Sequence, residues 1–521
     1  MAPRVIDETF TAPRRAWLLP AQRARVLVNG FQSWSEAGLH DIEQTQPRPT
    51  REDLTRQGHD AAWPPSGQAG VWRSHTLIAV IDADGSGWVG CALRETRSFA
   101  HWEARATKDG VELRYESEGD SEGARLTWSE HPARLVEDMA AALGRNMRAR
   151  TPAPLRVWCS WYSYYTNISA SRMLENARTA RHLDLPFDVF QLDDGYQTHL
   201  GDWTDARPSY GGHARDLPAH LADLGFRAGL WLAPFAAEGK SHLYARHPEF
   251  FLRDEHGAPV PCGPNWDGQY YALDTTRDDV QDWLRALART VTGWGYSYLK
   301  IDFLFAATLP GRRARDVSRA EAYRMGLQAI RDGAGDAFIL ACGAPLASSA
   351  GLVDAMRTGP DVAPLWDDHA RRTWLQDGTG PAARNAIHTS LARWYQHHWY
   401  QPDPDVMIAR REQSLLTDTE RGALLGLLDV TGGLRASSDP LARLAPDDVT
   451  LLRRALDLSA PDQPTGLRDT WGETVTHFQR GRFNLTAHAI DGVAPHAFDR
   501  AAPPTPLGGG RIARVPDATS D

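Results

Sequence analysis

The chain has 521 residues, more than one ordinary domain accommodates, so a modular organisation is expected. It is 42% hydrophobic and 24% charged with a net charge of −9, the composition of a globular protein. It carries no basic run or arginine–aromatic stripe for a nucleic acid to follow. No apolar run approaches the roughly 18 residues of a membrane helix, and the start, Met1-Ala-Pro-Arg-Val5, lacks the apolar stretch of a signal peptide. Cytoplasmic residence is the expectation. The four cysteines, Cys91, Cys159, Cys262 and Cys342, are widely spaced with no C-x-x-C among them, so neither zinc nor a disulfide framework is expected.

Taken in chain order, residues 1–150 read as β-rich. Apolar runs at 75–82 and 87–93 flank Ala83-Asp84-Gly85-Ser86, a hairpin signal. Lys108-Asp109-Gly110 repeats the device before the alternating run Val111-Glu-Leu-Arg-Tyr115. A helix is predicted over 132–143, and Thr151-Pro-Ala-Pro154 punctuates the boundary. From Leu155 the texture changes to alternating strands and helices. Strands are predicted at 157–161, 188–193, 227–235, from Tyr298, at 337–341, at 353–357 and at 433–438. Helices are predicted at 171–182, 217–225, 277–292, 319–331, 382–393 and 418–428, with 399–408 of mixed character. Such alternation over residues 151–460 predicts a (β/α)₈ TIM barrel. A doubly wound sheet is the alternative, but no Gly-rich phosphate loop follows an early strand. The expected architecture is therefore α/β: an N-terminal β-sandwich-like domain, the barrel, and a small C-terminal β domain with a flexible tail over 461–521.

Tyr298-Leu-Lys-Ile-Asp-Phe-Leu-Phe305 carries the chemistry most openly. Lys300 and Asp302 lie two apart on an apolar strand, so they project to one side. Two buried charges are costly unless paired or used. The chain has only three lysines, Lys108, Lys240 and Lys300, and otherwise uses arginine. A compact ammonium is thus expected to be required here. A structural ion pair would carry the same signature. The predicted barrel strands share a phase: each ends in aromatic, acidic, basic or thiol residues, where a (β/α)₈ barrel places its site. Acids among aromatic walls suit a neutral polyhydroxylated ligand, and glycoside hydrolysis needs one protonated and one ionised carboxyl group. Lys300 beside Asp302 is expected to hold that acid ionised. A metal-dependent sugar isomerase would need a His/Asp/Glu cluster, for which Asp193 with Asp194 is the only start.

These segments together resemble glycoside hydrolase family 36, the α-galactosidases of the melibiase clan, and most of all their compact bacterial members. The resemblance rests on Trp158-Cys-Ser-Trp-Tyr-Ser-Tyr-Tyr165, Phe190-Gln-Leu-Asp-Asp-Gly195, Gly201-Asp-Trp203, the strand 298–305, Cys342-Gly-Ala-Pro-Leu346, Met356-Arg-Thr-Gly-Pro-Asp361 and, nearer the start, Asn29-Gly-Phe-Gln-Ser-Trp34. It implies Asp302 as nucleophile and Asp361 as general acid/base. It implies Asp193 and Asp194 on the sugar's 4- and 6-hydroxyls, Lys300 on ring hydroxyls, and Cys342 with Arg357 beside the 2-hydroxyl. Trp161, Tyr162 and Trp231 would form the pocket wall, with Trp34 closing it from the N-terminal domain. The expected substrate is a small α-galactoside of the melibiose or raffinose type, hydrolysed by double displacement without cofactor or metal. An α-N-acetylgalactosaminidase, a raffinose-type galactosyltransferase and an inactive sugar-binding protein are the alternatives, and the oligomeric state is left open. Only about 30 residues precede Gln32-Ser-Trp34, so an abbreviated N-terminal domain is expected.

Overall fold

The structure is a computed structural model that describes residues 5–265 and 268–458 and the backbone of three strands, Val475–Arg480, Phe483–His488 and Arg511–Arg514. The hairpin signals fold as read. Leu77–Ile81 pairs antiparallel with Gly87–Ala92, and Ala100–Thr107 with Gly110–Ser117. The first pair lies within a six-stranded sheet and the second within a four-stranded one. Their aromatic faces meet: Phe10 of the larger sheet lies 5.2 Å from Trp17 and 5.1 Å from Tyr115 of the smaller. Gly90 makes room for that contact, since a Cβ there would sit 2.7 Å from the Trp102 ring. Ten strands precede the barrel; short ones such as Arg25–Val28 and Gly38–Asp41 carry too little alternation to be counted from sequence.

After the helix Pro132–Asn146 the chain builds eight parallel strands: β1 Arg156–Cys159, β2 Val189–Leu192, β3 Arg227–Leu232, β4 Tyr296–Ile301, β5 Phe338–Ala341, β6 Ala355–Arg357, β7 in two pieces at Gln401–Asp403 and Val406–Met407, and β8 Arg435–Ser437. Each pairs with the next, and β8 returns to β1. The break in β7 lets Gln401–Asp403 pair with β6 and Val406–Met407 with β8, which closes the ring. Helices follow the expected strands with sequence-encoded starts. Ser169 caps Ala170–His182, while Ser318/Glu321 and Thr417/Glu420 form capping boxes on Arg319–Ala334 and Asp418–Thr431.

Two elements over the barrel mouth were not anticipated. Ala236–Glu238, Pro261–Asn265 and Gly268–Ala272 form a small antiparallel sheet between β3 and β4. The short helix Glu52–Gly58 packs beside it, and Gln57 Nε2 donates to the Pro264 carbonyl at 3.1 Å. At the C-terminal end the three described strands pair antiparallel; most of the expected C-terminal β domain lies outside the described residues. Among the described residues, no helix is long and apolar enough to cross a membrane.

Candidate active site

The C-terminal ends of the barrel strands converge on one open cavity of about 180 Å³. Of the side chains singled out in the sequence, Trp34, Trp161, Asp193, Asp194, Trp231, Lys300, Asp302 and Asp361 line it. Tyr162, Cys342 and Arg357 are not among its lining residues; all three are buried. The chain reaches the cavity through sharp turns. Asp302 follows β4 directly, and Phe303 after it takes φ +51, turning the backbone away so that the carboxylate stands at the strand end.

Lys300 is 4% exposed, and its Nζ donates to Asp193 Oδ2 at 2.8 Å. The same oxygen accepts from Gln191 Nε2 at 2.5 Å and the Cys159 thiol at 3.3 Å. Lys300 thus bonds Asp193 rather than Asp302, while its charge still pulls the Asp302 carboxyl down against burial. Strand alternation puts both on one side, but the long lysine stem carries the ammonium past β3 to the acid at the end of β2. Burial pulls the ammonium down, yet Asp193 outweighs it and holds the lysine well above its usual range.

Asp302 is held by other donors: Trp231 Nε1 at 3.0 Å and the Phe303 amide at 2.7 Å. Burial pushes its carboxyl above the usual aspartate range; Lys300 opposes the push and Asp361 adds to it. Across the cavity, Asp361 Oδ1 accepts from Arg357 Nη1 at 2.9 Å. The Arg357 guanidinium also meets Asp403 and Asp405, each at 3.0 Å. It sits behind the wall because three carboxylates hold it there, rather than in the cavity beside a ligand.

Trp34 arrives from the N-terminal region. Its ring stands 5.8 Å from Phe303, and Gly343, at φ +54, accommodates it: a Cβ there would come within 2.9 Å of the indole. The turn carrying it is seated in a socket. Arg393, 1% exposed, donates to the carbonyls of Asn29, Gln32, Ser33 and Ser35 and to that of Thr358 just beyond β6, at 2.6–3.1 Å. Tyr395 and Gln396 hold the Asn29 side chain.

The lining also contains residues the sequence did not single out, among them Gln57, Tyr270, Arg371 and Thr379. Tyr270 lies on the unanticipated hairpin and tilts against Phe303 at 5.4 Å. The acid pair of Asp403-Pro-Asp405 was a readable signal: two carboxylates flanking a proline in an apolar stretch. Among the described residues, three groups gather metal-type ligands within reach of one another: Glu36/His40/His388, Asp60/His75/His101 and Glu137/His397/His398. None of their members lines the cavity. In the second group Arg319 already occupies both Asp60 oxygens.

The arrangement is a barrel-mouth cavity with aromatic walls whose lining includes the Asp302 and Asp361 carboxyls and the Lys300–Asp193 pair, the layout of a barrel glycosidase. A family model described as Melibiase matches residues 140–391. The solved structure of TtGalA, an α-galactosidase from Thermus thermophilus in complex with p-nitrophenyl α-D-galactopyranoside, is 33% identical with a TM-score of 0.79, covering 92% of this chain and 93% of that one. The GH36 α-galactosidase AgaA from Geobacillus stearothermophilus superposes with a TM-score of 0.58 at 14% identity, a likeness of fold alone. In sequence, that AgaA is 28% identical over 188 residues, 33% of this chain and 24% of its own length. A Flavonifractor plautii protein described as an A type blood α-D-galactosamine galactosaminidase is 30% identical over 123 residues, 11% of its length. The matches to these curated relatives thus span a quarter of their length or less. The chain belongs to the melibiase family, glycoside hydrolase family 36.

Proposed function

We propose that the protein is a retaining α-galactosidase acting on terminal α-linked galactose of small galacto-oligosaccharides. The observation that carries this reading is the meeting of Asp302 and Asp361, 59 residues apart in the chain, on one cavity that also holds Asp193, Asp194, Lys300 and three tryptophans. In this reading an Asp302 oxygen attacks C1 and the glycosidic C1–O bond breaks, while the Asp361 proton passes to the leaving oxygen. Water then attacks C1, its proton goes to Asp361, and the ester bond to Asp302 breaks to restore the carboxylate. Trp231 and the Phe303 amide orient the nucleophile, and Lys300 with Asp193 and Asp194 offers donors and acceptors to ring hydroxyls. The likeness to TtGalA, whose structures hold p-nitrophenyl α-galactoside and stachyose, supports galactose as the recognised sugar. The same reading divides the chain into β-rich residues 1–150, a catalytic barrel at 151–460 and a C-terminal β region at 461–521. Four buried, unpaired thiols support a reducing, cytoplasmic setting.

Hydrolysis of p-nitrophenyl α-galactoside should exceed that of the β-galactoside, the α-glucoside and the α-N-acetylgalactosaminide. Asp302→Gly should lose almost all turnover and recover part of it with azide, releasing β-galactosyl azide. An α-azide, or no recovery, would remove Asp302 from the nucleophile's role. Preference for the N-acetylated substrate would replace the α-galactosidase reading with the galactosaminidase one.

A further inference from the structure

Asp405 occupies an unusual place. It lies in the break of β7, after Pro404, with φ +77, a left-handed conformation that a non-glycine residue rarely takes. It is 1% exposed. Its Oδ2 accepts from the Val362 amide at 2.8 Å and from the Tyr162 hydroxyl, and Arg357 Nη2 lies 3.0 Å from its Oδ1. Val362 is the residue after Asp361. Asp405 therefore holds the backbone beside Asp361, and Arg357, which it faces, holds the Asp361 carboxylate. The Asp405 amide in turn donates to Asp403 at 3.0 Å, and Asp403 binds the same guanidinium.

We infer that Asp405 is a positioning residue for the reaction: it seats the Asp361 loop through the Val362 amide and shares with Asp361 the Arg357 guanidinium that holds the Asp361 carboxyl. This rests on the reading of Asp361 as the acid/base. The physical basis is charge count in a buried space. The titratable groups facing Asp405 are Tyr162 from the turn after β1, Arg357 and Asp361 from β6 and its loop, and Asp403 from its own strand. One guanidinium serves three carboxylates, so the share of it that Asp361 receives depends on Asp403 and Asp405. Burial, with Asp361 and Asp403 added and Arg357 opposing, pushes the Asp405 carboxyl itself up to about 7. The strained backbone is kept because it delivers this carboxylate to both handles of the Asp361 loop at once.

The test is the pH profile of kcat/KM with p-nitrophenyl α-galactoside. Asp405→Asn removes the charge with little change of shape, so the basic limb should move down by about one pH unit. At neutral pH the loss should be larger for an alkyl galactoside, whose leaving oxygen needs the proton, than for a dinitrophenyl one. Tyr162→Phe, which leaves every formal charge in place, should move the limb the same way by less and stands in should Asp405→Asn fail to fold. A lowered rate at every pH with the limb unmoved would make Asp405 a structural residue only and overturn the inference. Asp361→Gly separates that failure from failure of the underlying reading. If Asp361 is the acid/base, its removal spares attack on the dinitrophenyl substrate and azide yields α-galactosyl azide. If leaving-group dependence is absent there, the acid/base assignment falls, and the Asp405 inference with it.

Discussion

At the scale of single residues, the acid just after β4 shows how burial and hydrogen bonding oppose each other. Asp302 is raised above the usual aspartate range by burial, while Trp231 Nε1 pulls the other way. If Asp302 is the nucleophile, as proposed, it must be ionised, so activity should be lost as pH falls through that raised value. The acid limb of kcat/KM should thus lie above the ordinary 3.8 of an aspartate. Trp231→Phe keeps an aromatic wall but deletes the donor, and the limb should rise further, by about one unit. A limb that stays put or falls would show that the indole does not stabilise the carboxylate. What the sequence revealed here was the side on which Lys300 and Asp302 project, because alternation is a local property. It could not reveal that the ammonium reaches Asp193, because stem length and barrel curvature decide that.

At the scale of elements, periodicity found what is long and missed what is short or interrupted. The helix Asp278–Gly293 buries Val280, Leu284, Leu287 and Val291 along one face, and its pattern was plain. The hairpin Pro261–Asn265 and Gly268–Ala272 was hidden because Pro261, Gly263 and Pro264 read as loop, yet it delivers Tyr270 to the cavity. β7 was read only as mixed because Pro404-Asp405 splits it. The socket for the Trp34 turn was equally silent, since four of the five carbonyls that give Arg393 its meaning lie more than 350 residues away in the chain. Burial pulls its guanidinium down to about 10, consistent with six hydrogen bonds to five carbonyls and no bond to a carboxylate among the described residues. Arg393→Lys keeps a charge but offers three donors, so several buried carbonyls lose partners at about 1–3 kcal/mol each. Thermal stability should fall. Trp34 should loosen and raise KM for p-nitrophenyl α-galactoside, with kcat changed much less because the two acids of the proposed mechanism sit on the turns that follow barrel strands. A drop in kcat at constant KM would argue that the socket does not act through Trp34.

At the scale of the whole molecule, the N-terminal sheets and the barrel are joined by a buried ion pair. Arg319, at the start of Arg319–Ala334, donates to both Asp60 oxygens at 2.6 and 3.0 Å and to Glu118 at 2.9 Å. Burial pushes the Asp60 carboxyl up, but Arg319 and His101 outweigh it, and the acid is held well below its usual range. Because the folded value is depressed, the stabilisation is present above the unfolded value of about 3.9 and is lost as pH falls from there through the folded value. Removing one partner of a buried pair costs about 3–5 kcal/mol when the other charge is left unpaired; here Glu118 stays on Arg319, so that figure is the upper end. Asp60→Asn should therefore lower the denaturant midpoint strongly at pH 7, and the gap between variant and wild type should shrink as the pH is taken below 4. Since the pair joins the two parts, the variant's melt should also split, with the N-terminal sheets unfolding ahead of the barrel. Equal midpoints at pH 7, or a gap that persists undiminished in acid, would show that the two parts are held by their apolar contacts and that this pair adds nothing to their union.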